Sequence, residues 1–286
     1  MLAVFNRHKR LISSLGLLLV ALIWGSTFTL NKIALDSMSP ISLMAARFIL
    51  AFIVMLAIFR KKFRNITIKN CIGGILCGIA LFLAFILQTY GLVYTTASKQ
   101  AFLSGTYVIF VPLLTWICFK KMPAKKVYLG VFICFLGISL LSVNDDFTMN
   151  IGDVLTLISG IMFAAQILVA GHFVKTEDPA VMSTVQFGVT GILAAIVALF
   201  LGDFGFLNAG DAIIPVIYLG LFGSAAAYYL QILCQQFTSS STTAIILSME
   251  TVFGSLLAVF FLKEIFTLRM IVGSIAILVA IIISET

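Results

Sequence analysis

Apolar runs of about twenty residues follow one another along this chain, each closed by a short polar, glycine-bearing or proline-bearing stretch. A helix of about 20 residues, at 1.5 Å per residue, crosses the ~30 Å hydrocarbon core of a bilayer. The pattern therefore predicts ten membrane-spanning helices. The first five cover about residues 11–31, 40–59, 71–93, 98–119 and 127–143, and the last is closed by Asn144, Asp145 and Asp146. The second five cover about residues 151–171, 179–201, 211–235, 241–262 and 268–284. Pro40 and Pro179 sit where a helix starts, a place where the missing N–H costs nothing. Every loop is short, and none has room for a soluble domain.

The polar punctuation also repeats. The stretch from Leu87 to Lys121 has a second copy 143 positions later, from Leu230 to Glu264. In that register Gln88 falls on Gln231, Ser98 on Ser241, Ala101 on Ala244, Phe110 on Phe253, Lys120 on Lys263 and Gly130 on Gly273. Earlier in each copy Ser39-Pro40 matches Asp178-Pro179 at an offset of 139, so a few residues were inserted between the second and third helices of the repeat. A period of half the chain marks a duplicated unit rather than a solenoid. The expected units are residues 1–146 and 147–286, five helices each. An odd number of crossings turns the second copy upside down, giving an all-α integral membrane fold of two inverted five-helix repeats, a construction that recurs in secondary transporters.

Composition narrows the class further. The chain is 62% hydrophobic and 10% charged, with a mean hydropathy of +1.18, against about 25% charged residues in soluble domains. The net charge of +7 reads as basic loops held in the cytoplasm rather than as nucleic-acid binding. With the N-terminus inside, thirteen basic residues fall on the inner side, among them Arg7, Lys9, Arg10, the Arg60–Arg64 cluster, Lys120, Lys121, Lys125, Lys126 and Lys175. Only Lys32, Lys99, Lys263 and Arg269 fall outside. The positive-inside rule then places both termini in the cytoplasm and the protein in the cell membrane. The basic, then apolar, N-terminus lacks a small-residue cleavage site and reads as the first span, not a signal peptide. Five cysteines in no metal-ligand spacing and two histidines read as buried small hydrophobes and an absence of metal or cofactor chemistry. There is no Walker A sequence, no HExxH, no G-x-S-x-G and no TVGYG-like filter, which removes the sequence basis for an ATP-driven pump, common hydrolases and a potassium channel.

Two ionisable groups lie clearly within spans, Arg47 in the second and Glu250 in the ninth. Such a group costs about 2.5–3.5 kcal/mol on insertion scales and normally faces the bundle interior. Glu250 is about 18 Å deep and Arg47 about 8 Å shallower at 1.5 Å per residue. Glu250 reads either as a substrate or proton site or as a structural carboxylate bonded to Ser248 or Thr251. Arg47 reads as an interhelical donor or snorkelling group, or as a carboxylate ligand. Trp24, Ser26, Thr27, Gln88, Tyr90, Tyr107, Gln166, Tyr228, Tyr229 and Gln231 are the further polar or aromatic candidates for a cavity lining. Tyr94 and Tyr218 fit interfacial anchors, and Gly74-x-x-x-Gly78 with Ala194 and Ala198 fits close helix packing. Tyr107 and Glu250 coincide at the 143 offset, so two-fold symmetry would set them facing each other near the midplane, where a solute or proton would be held.

Trp24-Gly25-Ser26-Thr27-Phe28, the run from Gln100 to Leu114 and the run from Met249 to Glu264 resemble the drug/metabolite transporter superfamily, specifically its ten-helix EamA-type members. The resemblance covers nearly the whole chain and says little about substrate. In the family's ninth helix a proline often follows the acid. Here Thr251 follows Glu250, which leaves a kink there open, and Lys263 stands before Glu264 where the family has glycine. The resemblance implies helices one, three, four, six, eight and nine around a central cavity, and transport of amino acids, metabolites or drugs by facilitated, proton-coupled or solute-exchange routes. The expected function is thus a secondary transporter, not an enzyme. It would work as a monomer among membrane lipids by alternating access, would export a small organic solute, and would use a proton or counter-solute for coupling. A membrane-embedded enzyme or a lipid-linked carrier translocase is the alternative.

Overall fold

The computed structural model describes residues 2–95, 97–120, 122, 124–142, 150–262 and 268–285. The chain is all-helical among these residues. In order come α1 (Leu2–Leu35), α2 (Pro40–Phe59), α3 (Ile68–Tyr94), α4 (Ala97–Gly105), α5 (Tyr107–Phe119), α6 (Lys125–Ser142), α7 (Ile151–Phe173) and α8 (Pro179–Phe200). Then follow α9 (Ile213–Tyr218), a π-helical segment (Leu219–Ala226), α10 (Ala227–Cys234), α11 (Ser240–Leu247), α12 (Met249–Leu262) and α13 (Leu268–Glu285). Asn144, Asp145, Asp146, Lys121, Val143, Lys263 and Glu264 lie outside the described residues.

Among the described residues, six continuous helical stretches are long and apolar enough to cross a membrane: His8–Leu35, Pro40–Asn65, Ile68–Tyr94, Ile151–Phe173, Pro179–Phe200 and Gly210–Cys234. The other expected spans coincide with shorter or interrupted elements. Helices α4 and α5 are parted by Thr106, and α11 and α12 by Ser248. At each break a hydroxyl competes with the helix ladder: Thr106 donates to the Leu103 carbonyl and Ser248 to the Ile245 carbonyl, both at 2.6 Å. The second break therefore arises without a proline after Glu250.

Local chemistry sets the helix starts. Ser39 and Asp178 cap α2 and α8 with proline at the next position, and Thr67 caps α3. Asn150 and Asp153 form a reciprocal capping box on α7. Each such cap contributes about 1 kcal/mol by satisfying an orphan N–H.

The most extensive packing joins one half of the chain to the other: α3 with α7 and α8, α2 with α8, α6 with α13, and α1 with α12. Small residues permit the closest of these approaches. A Cβ on Gly74 would lie 2.6 Å from Val185 Cβ, and one on Gly78 would lie 2.8 Å from the Gln186 carbonyl, so the glycine spacing serves α3–α8 packing, as its pattern predicts. Ala194 and Ala198 are fully buried on α8. The cysteines divide differently from expectation: Cys77, Cys134 and Cys234 are buried, but Cys118 is exposed on α5.

Two lysines hold the ends of the helix that comes third in each half. Lys32 donates to the Leu92 carbonyl at 3.0 Å. Lys175, 143 positions on, donates to the Gln235 carbonyl at 2.7 Å and to those of Gln236 and Thr238. At the bundle end carrying Lys32, the Asp203 carboxylate accepts from Ser39 and, at 2.6 Å, from Ser42. At the other end Glu177 accepts from Thr67, at 2.6 Å, and from Asn70, and Asp178 pairs with Lys62 at 2.7 Å.

Candidate functional site

A narrow chamber of about 30 Å³ lies between the helices. Its walls come from α1 (Trp24, Thr27, Phe28), α2 (Arg47), α3 (Phe85, Gln88), the α4–α5 break (Ser104, Tyr107), α7 (Phe163, Gln166, Ile167), α10 (Tyr228) and α12 (Glu250). At about 10–15 Å³ per water it has room for about two waters.

Arg47 is 2% exposed. Its Nε donates to Ser224 Oγ at 3.1 Å and its Nη1 to Asn31 Oδ1 at 3.3 Å. Its guanidinium lies 4.7 Å from the Phe85 ring and 5.0 Å from the Phe48 ring. Hydrogen bonds to a charged group contribute about 1.5–3 kcal/mol each and each buried cation–π contact up to about 2 kcal/mol. Together these offset the insertion cost of about 2.5–3.5 kcal/mol. Arg47 is thus an interhelical donor, not a snorkelling side chain, and it has no carboxylate partner among the described residues.

Glu250 is 4% exposed and Tyr107 3%. The Tyr107 hydroxyl lies close enough to the Glu250 carboxyl to feel its charge but completes no hydrogen bond of good geometry. The neighbours that a purely structural Glu250 would use are engaged elsewhere. The Ser248 hydroxyl serves Ile245 and Cys134 Sγ, the latter at 3.0 Å, and that of Thr251 donates to the Ser248 carbonyl at 2.8 Å.

Aromatic rings and amides complete the walls. Trp24 Nε1 donates to the Gly223 carbonyl at 3.0 Å, inside the π-helical segment, and its ring lies 4.7 Å from that of Tyr228. Phe85 meets Phe163 edge-on at 5.3 Å. Gln88 Nε2 donates to Ser104 Oγ at 2.8 Å, and Thr27 Oγ1 to its own helix at Trp24 O. Gln166 Nε2 donates to Gln186 Oε1 at 2.9 Å and its Oε1 accepts from Gln231 at 3.2 Å.

Of the residues the sequence singles out, Trp24, Thr27, Arg47, Gln88, Tyr107, Gln166, Tyr228 and Glu250 share the chamber. Five do not. Tyr90 lies half-buried outside the lining, Tyr229 packs against the Phe59 ring, Gln231 bonds Gln166, Ser248 bonds Cys134, and Ser26 bonds the Tyr218 hydroxyl at 2.7 Å. That bond ties Tyr218 to α1 as well. Sequence reasoning missed Ser104, Phe85 and Phe163 in the lining, and Asn31 and Ser224 behind Arg47. A phenylalanine on an apolar helix carries no signal separating lining from core, and short polar residues are common at helix contacts.

A bundle of long apolar helices around a chamber that holds a buried Arg47 and a buried Glu250 defines a multi-pass membrane protein. The model of the EamA-like transporter family matches residues 11–143 and again residues 150–286, and the chain belongs to that family. It is 38% identical to an uncharacterized transporter of Archaeoglobus fulgidus over 96% of this chain and 86% of that one. It is 27% identical to the uncharacterized transporter YwfM of Bacillus subtilis, over 88% and 86% of the two chains. The uncharacterized inner membrane transporter YedA of Escherichia coli is also 27% identical, over 77% and 74%. A solved crystal structure shares the fold with a TM-score of 0.78 at 14% identity, covering 95% of each chain.

Proposed function

We propose that the protein is a secondary transporter that moves a small organic solute through the central chamber by alternating access. The observation that carries this is a chamber built by helices from both halves, with a buried cation and a buried carboxyl on its walls and no ion pair for either among the described residues. Intramembrane ionisable groups that face a cavity mark substrate and ion pathways. The reading extends to ten spans, to inverted repeats over residues 1–146 and 147–286, and to two cytoplasmic termini. The lysine contacts at Leu92 and Gln235, repeated at the 143 offset, support the symmetry.

The solute that suits the chamber is dipolar. Arg47 would take its carboxylate, Glu250 and the Tyr107 hydroxyl its amine or a coupling proton, and the rings of Trp24, Tyr228, Phe85 and Phe163 its apolar part. At about 30 Å³ the chamber is too narrow for any such solute until helices separate. We read the direction as export and the working unit as the monomer. Proteoliposomes loaded with labelled amino acids, amines or carboxylates test the reading. Saturable efflux is expected for solutes carrying both charges, and equal leak of all three classes from protein-containing and empty vesicles would overturn it. Labelling of cysteines introduced at Lys61 and at Asp145 tests the topology, with reaction from outside expected only at Asp145.

A further inference from the structure

Apart from the chamber, a cleft of about 510 Å³ opens at the bundle end that carries the starts of α6 and α11. Sites for small ligands commonly occupy about 300–1,000 Å³. The cleft has an apolar floor, with Phe119, Val127 and Leu168 on three different helices, and a basic wall of Arg10, Lys126, Lys175 and His172. No carboxylate lines it among the described residues. Two described acids of this bundle end are committed elsewhere, Glu177 to Thr67 and Asn70, and Asp178 to Lys62 and its own helix cap.

A basic bundle end alone follows from topology. Two features go further. Lys175 is fixed by three carbonyls, so its charge is held at the wall rather than waving in solvent. Ser241, only 5% exposed, lines the cleft without a hydrogen-bond partner for its hydroxyl among the described residues. That hydroxyl is open to the cleft and can donate to an anion there.

We propose that this cleft is a binding site for a phosphate-bearing anion, supplied either by the headgroup of an acidic phospholipid or by a free phosphate. Arg10 and Lys126 provide charge, Ser241 a neutral donor, and the floor of Phe119 and Leu168 accepts the glycerol and first acyl carbons of a lipid. Basic pockets between transmembrane helices bind acidic headgroups by the same chemistry. The inference goes beyond the transport reading and stands without it, since binding here needs neither a solute in the chamber nor movement of the helices.

The test uses the full chain in nanodiscs of phosphatidylcholine with or without phosphatidylglycerol, and in detergent with inorganic phosphate against chloride at matched ionic strength. Tryptophan fluorescence gives Tm, and native mass spectrometry counts retained lipid. A site on the folded state should raise Tm by roughly 3 °C near tenfold saturation. A rise with phosphatidylglycerol, with retained lipid, assigns the headgroup, whereas a saturable rise with inorganic phosphate assigns the free anion. Either gain should be lost in Lys126→Gln and Ser241→Ala and kept in Lys61→Gln, a change at an exposed residue outside the cleft. Lys126 is exposed and Ser241→Ala removes one atom, so both variants should fold. The proposal fails if neither probe stabilises the wild type beyond its matched control, or if Lys61→Gln abolishes the gain as fully as Lys126→Gln.

Discussion

Glu250 and Arg47 illustrate how far single residues can be read. Their presence was legible because a charge within a long apolar run stands out, and the 143-residue register brought Tyr107 to Glu250 before any coordinates. What was not legible was their partners. Arg47 is accommodated by Asn31, Ser224 and two phenylalanine faces, a set drawn from α1, α2, α3 and the π-helical segment. The expected outcome for Glu250→Gln follows from its surroundings. The substitution keeps shape and hydrogen-bonding capacity, so folding should persist, while transport in proteoliposomes should fall by about tenfold or more, equivalent to ~1.4 kcal/mol at the limiting step. An unchanged rate and an unchanged pH profile in a folded variant would remove Glu250 from the mechanism. Tyr107→Phe should weaken apparent solute affinity without loss of Tm, because the hydroxyl it deletes completes no hydrogen bond among the described residues.

At the scale of elements, the sequence pattern placed the helices but not their interruptions. Pro112 lies inside α5, yet the chain breaks at Thr106, and Ser248 breaks the ninth span with no proline nearby. Both breaks come from hydroxyls that bond backward, a signal too common in membrane helices to single out. The π-helical turn at Leu219–Ala226 was equally invisible, because its Trp24 contact comes from a helix about two hundred residues away. The glycines of α3 were better guides. Gly78→Leu should drive a side chain into Val189 and the Gln186 carbonyl, at an overpacking cost of about 1–3 kcal/mol. Thermal unfolding should show the loss, with an unchanged Tm arguing against the α3–α8 contact.

Asp203, in the loop after α8, makes a pH prediction. The hydroxyls of Ser39 and Ser42, with help from the Gly205 N–H, hold its carboxyl below the ordinary value of 3.8. A depressed folded value adds stability that is fully present above the unfolded value and is lost as pH falls through the folded one. The Tm gap between wild type and Asp203→Asn should therefore be constant near neutrality and shrink only below about pH 4. A gap that stayed constant down to pH 3 would contradict the linkage.

The whole molecule has one property that neither residues nor elements reveal. Its principal helix contacts run between the halves, α3 on α7 and α8, α2 on α8, α6 on α13 and α1 on α12. During synthesis, then, the helices of residues 1–146 reach the membrane before the helices of the second half that they pack against. Newly inserted first halves are incomplete cores, dependent on insertion machinery or on rapid completion. Residues 1–146 produced alone should be cleared by membrane proteases, and residues 147–286 supplied as a separate chain should rescue them. Accumulation of the first half by itself to the level of the intact chain would show that it is self-sufficient. Premature termination near the middle of the message thus yields no half-working product, only a fragment marked for degradation.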